Sequence, residues 1–406
     1  MKPVPMGTDP IGARYDCAIG VCPHWRRKDR MKKILFITGT RADYGKMKPL
    51  MKALEKDEAF EVYIFVCGMH LSETFGSTYI EVQKDGYKNI YVAFGLSQTQ
   101  NASVNLGNTI TCLSGYVENI KPDLILVHGD RMDALAGAVV GALHNILVGH
   151  VEGGELSGTI DESIRHAISK FAHVHFVCTE EAKTRLIQLG EEESRIFVIG
   201  SPDIDIMMSG SLPSLEEAKK KYEISFENYG LLMYHPVTTE YAEIGRKIRT
   251  VVDAAIESGR NFITVYPNND LGSEVIMNEY GRIRNNPHFR LFPSLRFEHF
   301  LTFLKNADFI LGNSSAGIRE SGIYGIPAID IGTRQSGRYN AARNTNLQHV
   351  TEDKAVILQA IENTGNFRTS SFIFGDGNST EKFMGIVKEP TFWEMKIQKH
   401  FVDHTD

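Results

Sequence analysis

Residues 146–169 read ILVGHVEGGELSGTIDESIRHAIS, and the two halves of that stretch obey different periods. Ile146 to His150 is apolar without alternation, which is the pattern of a strand buried on both faces. Gly153 and Gly154 break the run. Beyond them a 3.6-residue spacing puts Asp161, Arg165 and Ser169 along one helical face and Glu162 beside His166 on the next. Strand, tight turn and helix in this order form the unit of a parallel sheet covered by helices. The unit is unusually charged, with Glu152, Glu155, Asp161, Glu162, Arg165 and His166 gathered around a glycine pair. Either the loop is simply solvated, or the strand delivers carboxylates to a pocket.

Outward from this unit the same pattern recurs. KILFIT (33–38), EVYIFV (61–66), NIYVAF (89–94), DLILVH (123–128), VHFVC (174–178) and RIFVIG (195–200) are apolar runs separated by helix-length amphipathic segments. That is the doubly wound plan. SPDIDIMMSGSLPSLEEAKKKY then supplies Pro, Ser and Gly at a domain junction, and the pattern restarts with YGLLMYH (229–235), NFITVYP (261–267), FRLFPS (289–294), DFILGNSS (308–315) and IPAIDIG (326–332). The expected architecture is α/β, with two Rossmann-like domains at 31–204 and 205–384 and a C-terminal helix, 385–406, returning to the first domain. Residues 1–30 lack periodicity and mix Pro, Gly and charge, and they are expected to be a disordered leader foreign to the fold, vector-derived or misassigned.

Composition bounds the partners. A chain of 406 residues with a net charge of −6 has no electrostatic footprint for nucleic acid or an anionic membrane. No stretch approaches the roughly 20 apolar residues of a membrane span. Five cysteines without CxxC spacing point to neither disulfides nor zinc, and a reducing cytoplasm is the expected compartment. His128 and His150 near Asp130 match no metal-ligand spacing, so no metal is expected.

In a doubly wound sheet the ligand lies at the carboxyl ends of the strands, which singles out five further stretches. TGTRADYGK follows the first strand and presents Arg41, whose plainer role is to solvate the helix start; the absence of GxGxxG argues against a dinucleotide cofactor. VHGDRMDAL presents Asp130 and Arg131, where helix N-capping is the plainer reading of Asp130. Asp161 and Arg165 suit a surface ladder of i,i+4 ion pairs equally well, whereas Glu152 lies directly at a strand end. MYHPVTTE places His235 before a strand-stopping proline, and YPNNDLGS supplies Asn268. LGNSSAGIRES reads as strand, small polar turn and helix, with Ser314 and Ser315 at the helix start and Glu320 one turn in, a phosphate cradle to which Arg334 and Arg338 add charge.

In this order, TGTRADYGK, VHGDRMDALAGA, HVEGGELSGTIDESIRHAISK, YHPVTTE, YPNNDLGS, GNSSAGIRE and GTRQSGR resemble the hydrolysing UDP-N-acetylglucosamine 2-epimerases of bacterial sialic acid biosynthesis. The resemblance covers nearly everything from Met31 onward. It implies a glycosyltransferase-B type fold, no cofactor, a homo-oligomer (dimer or tetramer), and a UDP-sugar substrate touching Arg41, Gly45, Arg131, His235, Asn268, Ser314, Ser315, Glu320 and Arg334. Catalysis would fall to Asp130, Glu152, Asp161 and Glu162, with His150 and Arg165 beside them. The related non-hydrolysing enzymes usually carry threonines in place of Arg131 and a proline with paired glutamates in place of GTIDES, so release of free N-acetylmannosamine and UDP is the expected outcome. A GDP-linked or 4-acetamido-trideoxy substrate and a non-hydrolysing reaction remain as alternatives. The C2 base is left between Asp130 and Glu152.

Overall fold

The computed structural model describes residues 30–96, 101–340 and 343–403, so the expected leader lies outside the described residues except for Arg30. Two parallel sheets organise the chain. The first contains β1 (Lys32–Thr38), β2 (Phe60–Val66), β3 (Asn89–Val92), β4 (Leu124–His128), β5 (Leu147–Val151), β6 (Val174–Val177) and β7 (Ile196–Val198), in the order β3-β2-β1-β4-β5-β6-β7. The second contains β8 (Gly230–Met233), β9 (Phe262–Val265), β10 (Phe289–Phe292), β11 (Phe309–Gly312), β12 (Ala328–Ile331) and β13 (Leu347–Val350), in the order β10-β9-β8-β11-β12-β13.

Each strand order reverses once, between β1 and β4 in the first sheet and between β8 and β11 in the second. A crevice opens at such a reversal because the helices following the two strands leave to opposite faces. The reversals therefore determine which residues face a ligand: the turns after Thr38 and His128 in one domain, and those after Met233 and Gly312 in the other. Gly312 at φ 136 is required there, since a Cβ would lie 2.0 Å from the Met233 carbonyl oxygen.

Apolar strands place cores on both faces of each sheet. Ile34, Phe36, Leu124, Leu126 and Phe176 pack on one face of the first sheet, while Leu35, Ile125, Val127 and Val148 pack on the other. The second-domain core continues into the junction, where Ile204 and Met207 of the Pro202–Met208 helix are buried beside Phe297, Phe300 and Leu301. The two domains thus share apolar packing as well as a cleft.

Two elements differ from expectation. β13 is absent from the sequence reading because Gln348 and His349 interrupt its apolar run; as an edge strand it has one side free for polar residues. The helix returning to the first domain spans Ser379–Lys388, starting ahead of residue 385. Its start is set by Asp205, whose carboxylate accepts from the backbone N–H groups of Ser379 and Thr380 at 3.0 and 2.7 Å. Its end is set by Pro390, which opens a 3-10 turn, Pro390–Glu394, and an extended tail follows. Among the described residues no helix is long and apolar enough to cross a membrane.

Phe383 and Val387 of this helix are fully buried against the first-domain core, with the Phe383 ring edge-on to Phe176 at 5.0 Å. Phe383→Ala is expected to destabilise the protein by about 3–5 kcal/mol, the range for deleting a buried aromatic ring. Denaturant unfolding followed by tryptophan fluorescence checks this; a midpoint equal to that of wild type would show that the helix is not docked.

Candidate active site

The cleft between the two switch points encloses about 290 Å³. Its wall includes Arg41, Asp130, Arg131, Glu152, Asp161 and Arg165 from the first domain. Across from them stand His235, Asn268, Ser314, Ser315, Glu320 and Arg334. These positions, and Arg338 with them, were singled out from sequence and meet in one cavity.

Its centre is a buried charge cluster. Arg319, from the second domain, donates to Glu152 Oε1 at 2.5 Å and to both Glu155 oxygens at 2.5 and 2.6 Å. Ser201 adds a hydroxyl donor to Glu152 at 2.8 Å, His128 Nε2 lies 3.3 Å away, and Lys46 Nζ bridges Glu152, Asp203 and Glu320 at 3.9, 3.4 and 2.8 Å. Burial alone would raise the Glu152 carboxyl, but Arg319, Lys46 and His128 outweigh it and hold Glu152 well below the ordinary carboxylate range. Glu152 also adopts φ 65, a conformation costly for a side chain with a Cβ and maintained only where surrounding contacts impose it. Those contacts are on hand: its N–H donates to Phe176 O at 3.0 Å, and its carbonyl accepts from Arg165 at 2.5 Å.

The two aspartates on the wall differ. Asp130 is paired closely with Arg165 and lies 4.0 Å from Arg338. Burial pushes its carboxyl up, and Arg165, Arg338 and Arg131 together push it further down, so it is held ionised. Asp161 is raised by burial and by the Asp130 carboxylate, against Arg334 at 3.7 Å and Arg131. Neighbouring carboxyls displaced in opposite directions can serve as base and acid in one site.

On the second-domain side, His235 Nδ1 accepts from the Asn268 N–H at 3.0 Å, leaving Nε2–H as the donor. Burial and the arginines Arg334 and Arg131 hold its pKa well below the usual value, so the ring is neutral. Asn313 ties the β8 and β11 turns together, accepting from His235 N at 2.7 Å and donating to His235 O at 2.9 Å. The helix expected to begin at Ser314 is instead a 3-10 turn, Ser315–Gly317, followed by the short helix Glu320–Tyr324. Gly317, Gly322 and Gly325 interrupt the segment, so no long helix dipole points at the cleft. The polar side chains lining the cleft there are Ser314, Ser315 and Arg334, which donates to Asn313 O at 3.2 Å.

Three expected residues are not on the cleft wall. His150 is buried under it: Nε2 donates to the Gly129 carbonyl at 2.8 Å, so Nδ1 accepts from the Ser169 hydroxyl at 3.0 Å. Burial lowers its pKa to about 3, and a permanently neutral ring there holds the Asp130 turn in place without exchanging protons with a ligand. Glu162 turns away to accept from Ser157 N at 2.7 Å, bracing the loop before its own helix. Gly45 faces Phe297, where any Cβ would come within 2.4 Å of the ring, so its part is to admit the second domain close to the first. Arg41 does reach the wall but is engaged with Glu81 at 2.7 Å and Ser294 at 2.8 Å, spanning the domains.

Sequence reasoning gave no role to Lys46, Asp203 or Arg319, and named Glu155 only as one of the loop acids. Lys46 and Arg319 were visible in TGTRADYGK and GNSSAGIRE, but single charges in such segments read as solvated, and their partners lie far along the chain.

The family profile described as UDP-N-acetylglucosamine 2-epimerase matches residues 52–388. A Neisseria meningitidis UDP-N-acetylglucosamine 2-epimerase is 47% identical over 92% of this chain and 99% of its own length. A Legionella pneumophila UDP-N,N'-diacetylbacillosamine 2-epimerase (hydrolyzing) is 34% identical over 88% of this chain and 96% of its own. The crystal structure of the Methanocaldococcus jannaschii UDP-GlcNAc 2-epimerase in complex with UDP-GlcNAc and UDP superposes with a TM-score of 0.74 at 23% identity, covering 87% of this chain and 99% of that one. The shared fold is the two-domain glycosyltransferase-B type.

The buried imidazole makes a pH prediction. A histidine at about 3 in the folded state and 6.5 in the unfolded state binds fewer protons when folded, so its contribution to stability is lost as pH falls from 6.5 toward 3. The Tm of the wild type is expected to fall over this interval, and that of His150→Gln to fall less steeply, measured by thermal melts from pH 7 to 4. Identical slopes would mean that His150 is not held neutral.

Proposed function

Because the chain belongs to the UDP-N-acetylglucosamine 2-epimerase family, we propose that it hydrolyses UDP-N-acetylglucosamine with inversion at C2, releasing N-acetylmannosamine and UDP. The observation carrying the chemistry is that Asp130 and Asp161 share one cleft wall, Asp130 paired closely with Arg165 and Asp161 standing 3.7 Å from Arg334, which displaces their carboxyls in opposite directions. The hydrolysing mode is supported by Arg131 and GTIDES in place of the non-hydrolysing pattern, and by the hydrolysing activity in the name of the Legionella relative.

In this reading the uridine diphosphate lies against His235, Asn268, Ser314, Ser315, Glu320 and Arg334, with the sugar toward the first-domain acids. The C1–O bond breaks first, its electron pair leaving with the diphosphate. Positive charge at C1 then acidifies the C2 hydrogen, which in the substrate has no adjacent carbonyl to activate it. Arg131, Arg334 and the serine turn stabilise the charge on the departing group, where fixed donors contribute most. Asp130, held ionised, takes the C2 proton to give 2-acetamidoglucal. Glu152 is already committed to Arg319, Ser201 and His128, so in this reading it is a fixed negative charge and not the base. Water adds at C1, its proton passing to the released UDP, while Asp161, whose pKa is raised, gives a proton to C2 from the other face; proton exchange with solvent then returns Asp130 and Asp161 to their starting states. Such a step would stand at the head of a sialic acid route in the cytoplasm.

Asp130→Asn and Asp161→Asn are each expected to lower turnover by roughly 10²-fold or more with the fold intact. Near-normal turnover in either variant would remove that residue from its role.

Labelling tests the reaction itself. In deuterated, oxygen-18 water the released N-acetylmannosamine should carry deuterium at C2 and, at early times, heavy oxygen at C1, while UDP stays unlabelled. Label in UDP would mean attack at phosphorus, and release of UDP-linked N-acetylmannosamine would mean a non-hydrolysing reaction. Running a 4-acetamido-trideoxy UDP-sugar alongside, with NMR of the free sugar, decides between this substrate and that of the Legionella relative.

A further inference from the structure

The Ile160–Phe171 helix carries Asp161 and Arg165 into the cleft, yet its C-terminal end has no glycine cap: Ala172 follows in extended conformation. The last carbonyls of a helix need donors from elsewhere. Lys399, on the extended tail beyond the returning helix, supplies them. Its ammonium donates to the carbonyls of Ser169 at 3.2 Å, Lys170 at 3.0 Å and Ala172 at 2.5 Å, and to Glu191 Oε2 at 2.5 Å. Glu191 is itself buried and pairs with Lys170 at 2.7 Å and His175 at 3.0 Å. The tail is held on either side of Lys399: Arg195 donates to Lys396 O at 2.9 Å, Val402 N to Gly190 O at 3.3 Å, and the Phe401 ring sits under Lys170 at 5.5 Å.

We propose that Lys399 is a positioning residue for the cleft acids, fixing the C-terminal end of the helix that orients them. Two connections carry its effect. Ser169, whose carbonyl Lys399 binds, gives its hydroxyl to His150, and His150 holds the Gly129 carbonyl next to Asp130. One turn earlier on the same helix, Arg165 grips Asp130 and the carbonyl of Glu152. A cation at a helix C-terminus also interacts favourably with the dipole there, and this one is half-buried against the helix end. Movement of the helix end by a fraction of an ångström would reach Asp130 through His150 and Asp161 through the helix itself, and misplacement on that scale lowers chemical rates steeply. Among the described contacts of Lys399 none reaches His235, Ser314, Ser315 or Arg334.

This inference rests on the reading that Asp130 and Asp161 do the chemistry, so its test combines catalysis with a measurement independent of it. Lys399→Met is expected to lower kcat for free-sugar release by about tenfold while KM and the UDP-induced rise in Tm stay within about twofold of wild type. Lys399→Arg should recover about half of the lost kcat, since a guanidinium can still donate to several carbonyls. In hydrogen exchange, amides of residues 168–172 and 129–131 should exchange faster in Lys399→Met, with those of β8 and β11 unchanged. An unaltered kcat, a loss of kcat that KM and the UDP shift follow in parallel, or unaltered exchange at 168–172 would each overturn the proposal. Should the wild type release no sugar from UDP-N-acetylglucosamine, the reading of the reaction falls, and the exchange comparison alone decides whether Lys399 fixes the helix.

Discussion

The structure turns on one guanidinium. Arg319 belongs to the second domain, is 3% exposed, and is surrounded by first-domain partners: Glu152, Glu155, Ser201 and Cys178. Its planar group also stacks over Phe374 at 4.6 Å. Burying such a group costs several kcal/mol, offset only when every lobe of the fork finds a partner, so a buried pair adds little stability over an apolar contact of the same volume. Losing one member is different, because the others are then stranded without water. That asymmetry makes the contact a specifier of arrangement. Any other docking of the domains strips Arg319 of these partners and leaves Glu155 without its guanidinium, while Glu152 keeps only Ser201, Lys46 and His128 from its own domain.

The electrostatics of the cleft follow from that arrangement. Each cleft arginine is placed against particular acids, and that placement sorts the carboxyls into kinds. Glu152 and Glu155 are driven down by Arg319, and Asp130 by Arg165 and Arg338. Asp161, with an acidic neighbour and a more distant arginine, goes the other way, as does Glu320 through burial in spite of Lys46. Had the same acids been solvated, all would titrate together near 4, and none could hold a proton while its neighbour gave one up.

The fold was largely legible in the sequence because parallel strands buried on both faces cannot hide: twelve apolar runs with no polar alternation mark twelve of the thirteen strands. β13 escaped because an edge strand has polar positions. The wall residues were legible because the switch-point rule concerns strand ends, and strand ends are visible once strands are. His150 shows the limit of that rule. It is the penultimate residue of β5, and its ring faces down, beneath the turn it supports; alternation along a strand decides this, and one residue of register separates wall from floor. Arg319 and Lys46 were illegible for another reason. A lone charge within a helical segment reads as solvent-facing, and its burial is dictated by partners supplied by the other domain.

The charge state of the first-domain acids is accordingly not a property of the first domain. Arg319, Arg334 and Arg338 all arrive from the second, and without them Asp130 would keep Arg165 and Arg131, while Glu152 would keep Lys46 and His128. Burial would also be reduced, and with it the largest influence that raises Asp161, leaving the Asp130 carboxylate as the next. Domain docking therefore does two things at once: it excludes water, and it sets which carboxyl is ionised. In the proposed reaction the same docking would serve twice, because the domain proposed to hold the leaving diphosphate also brings Arg334 and Arg338, the cations that help keep Asp130 ionised.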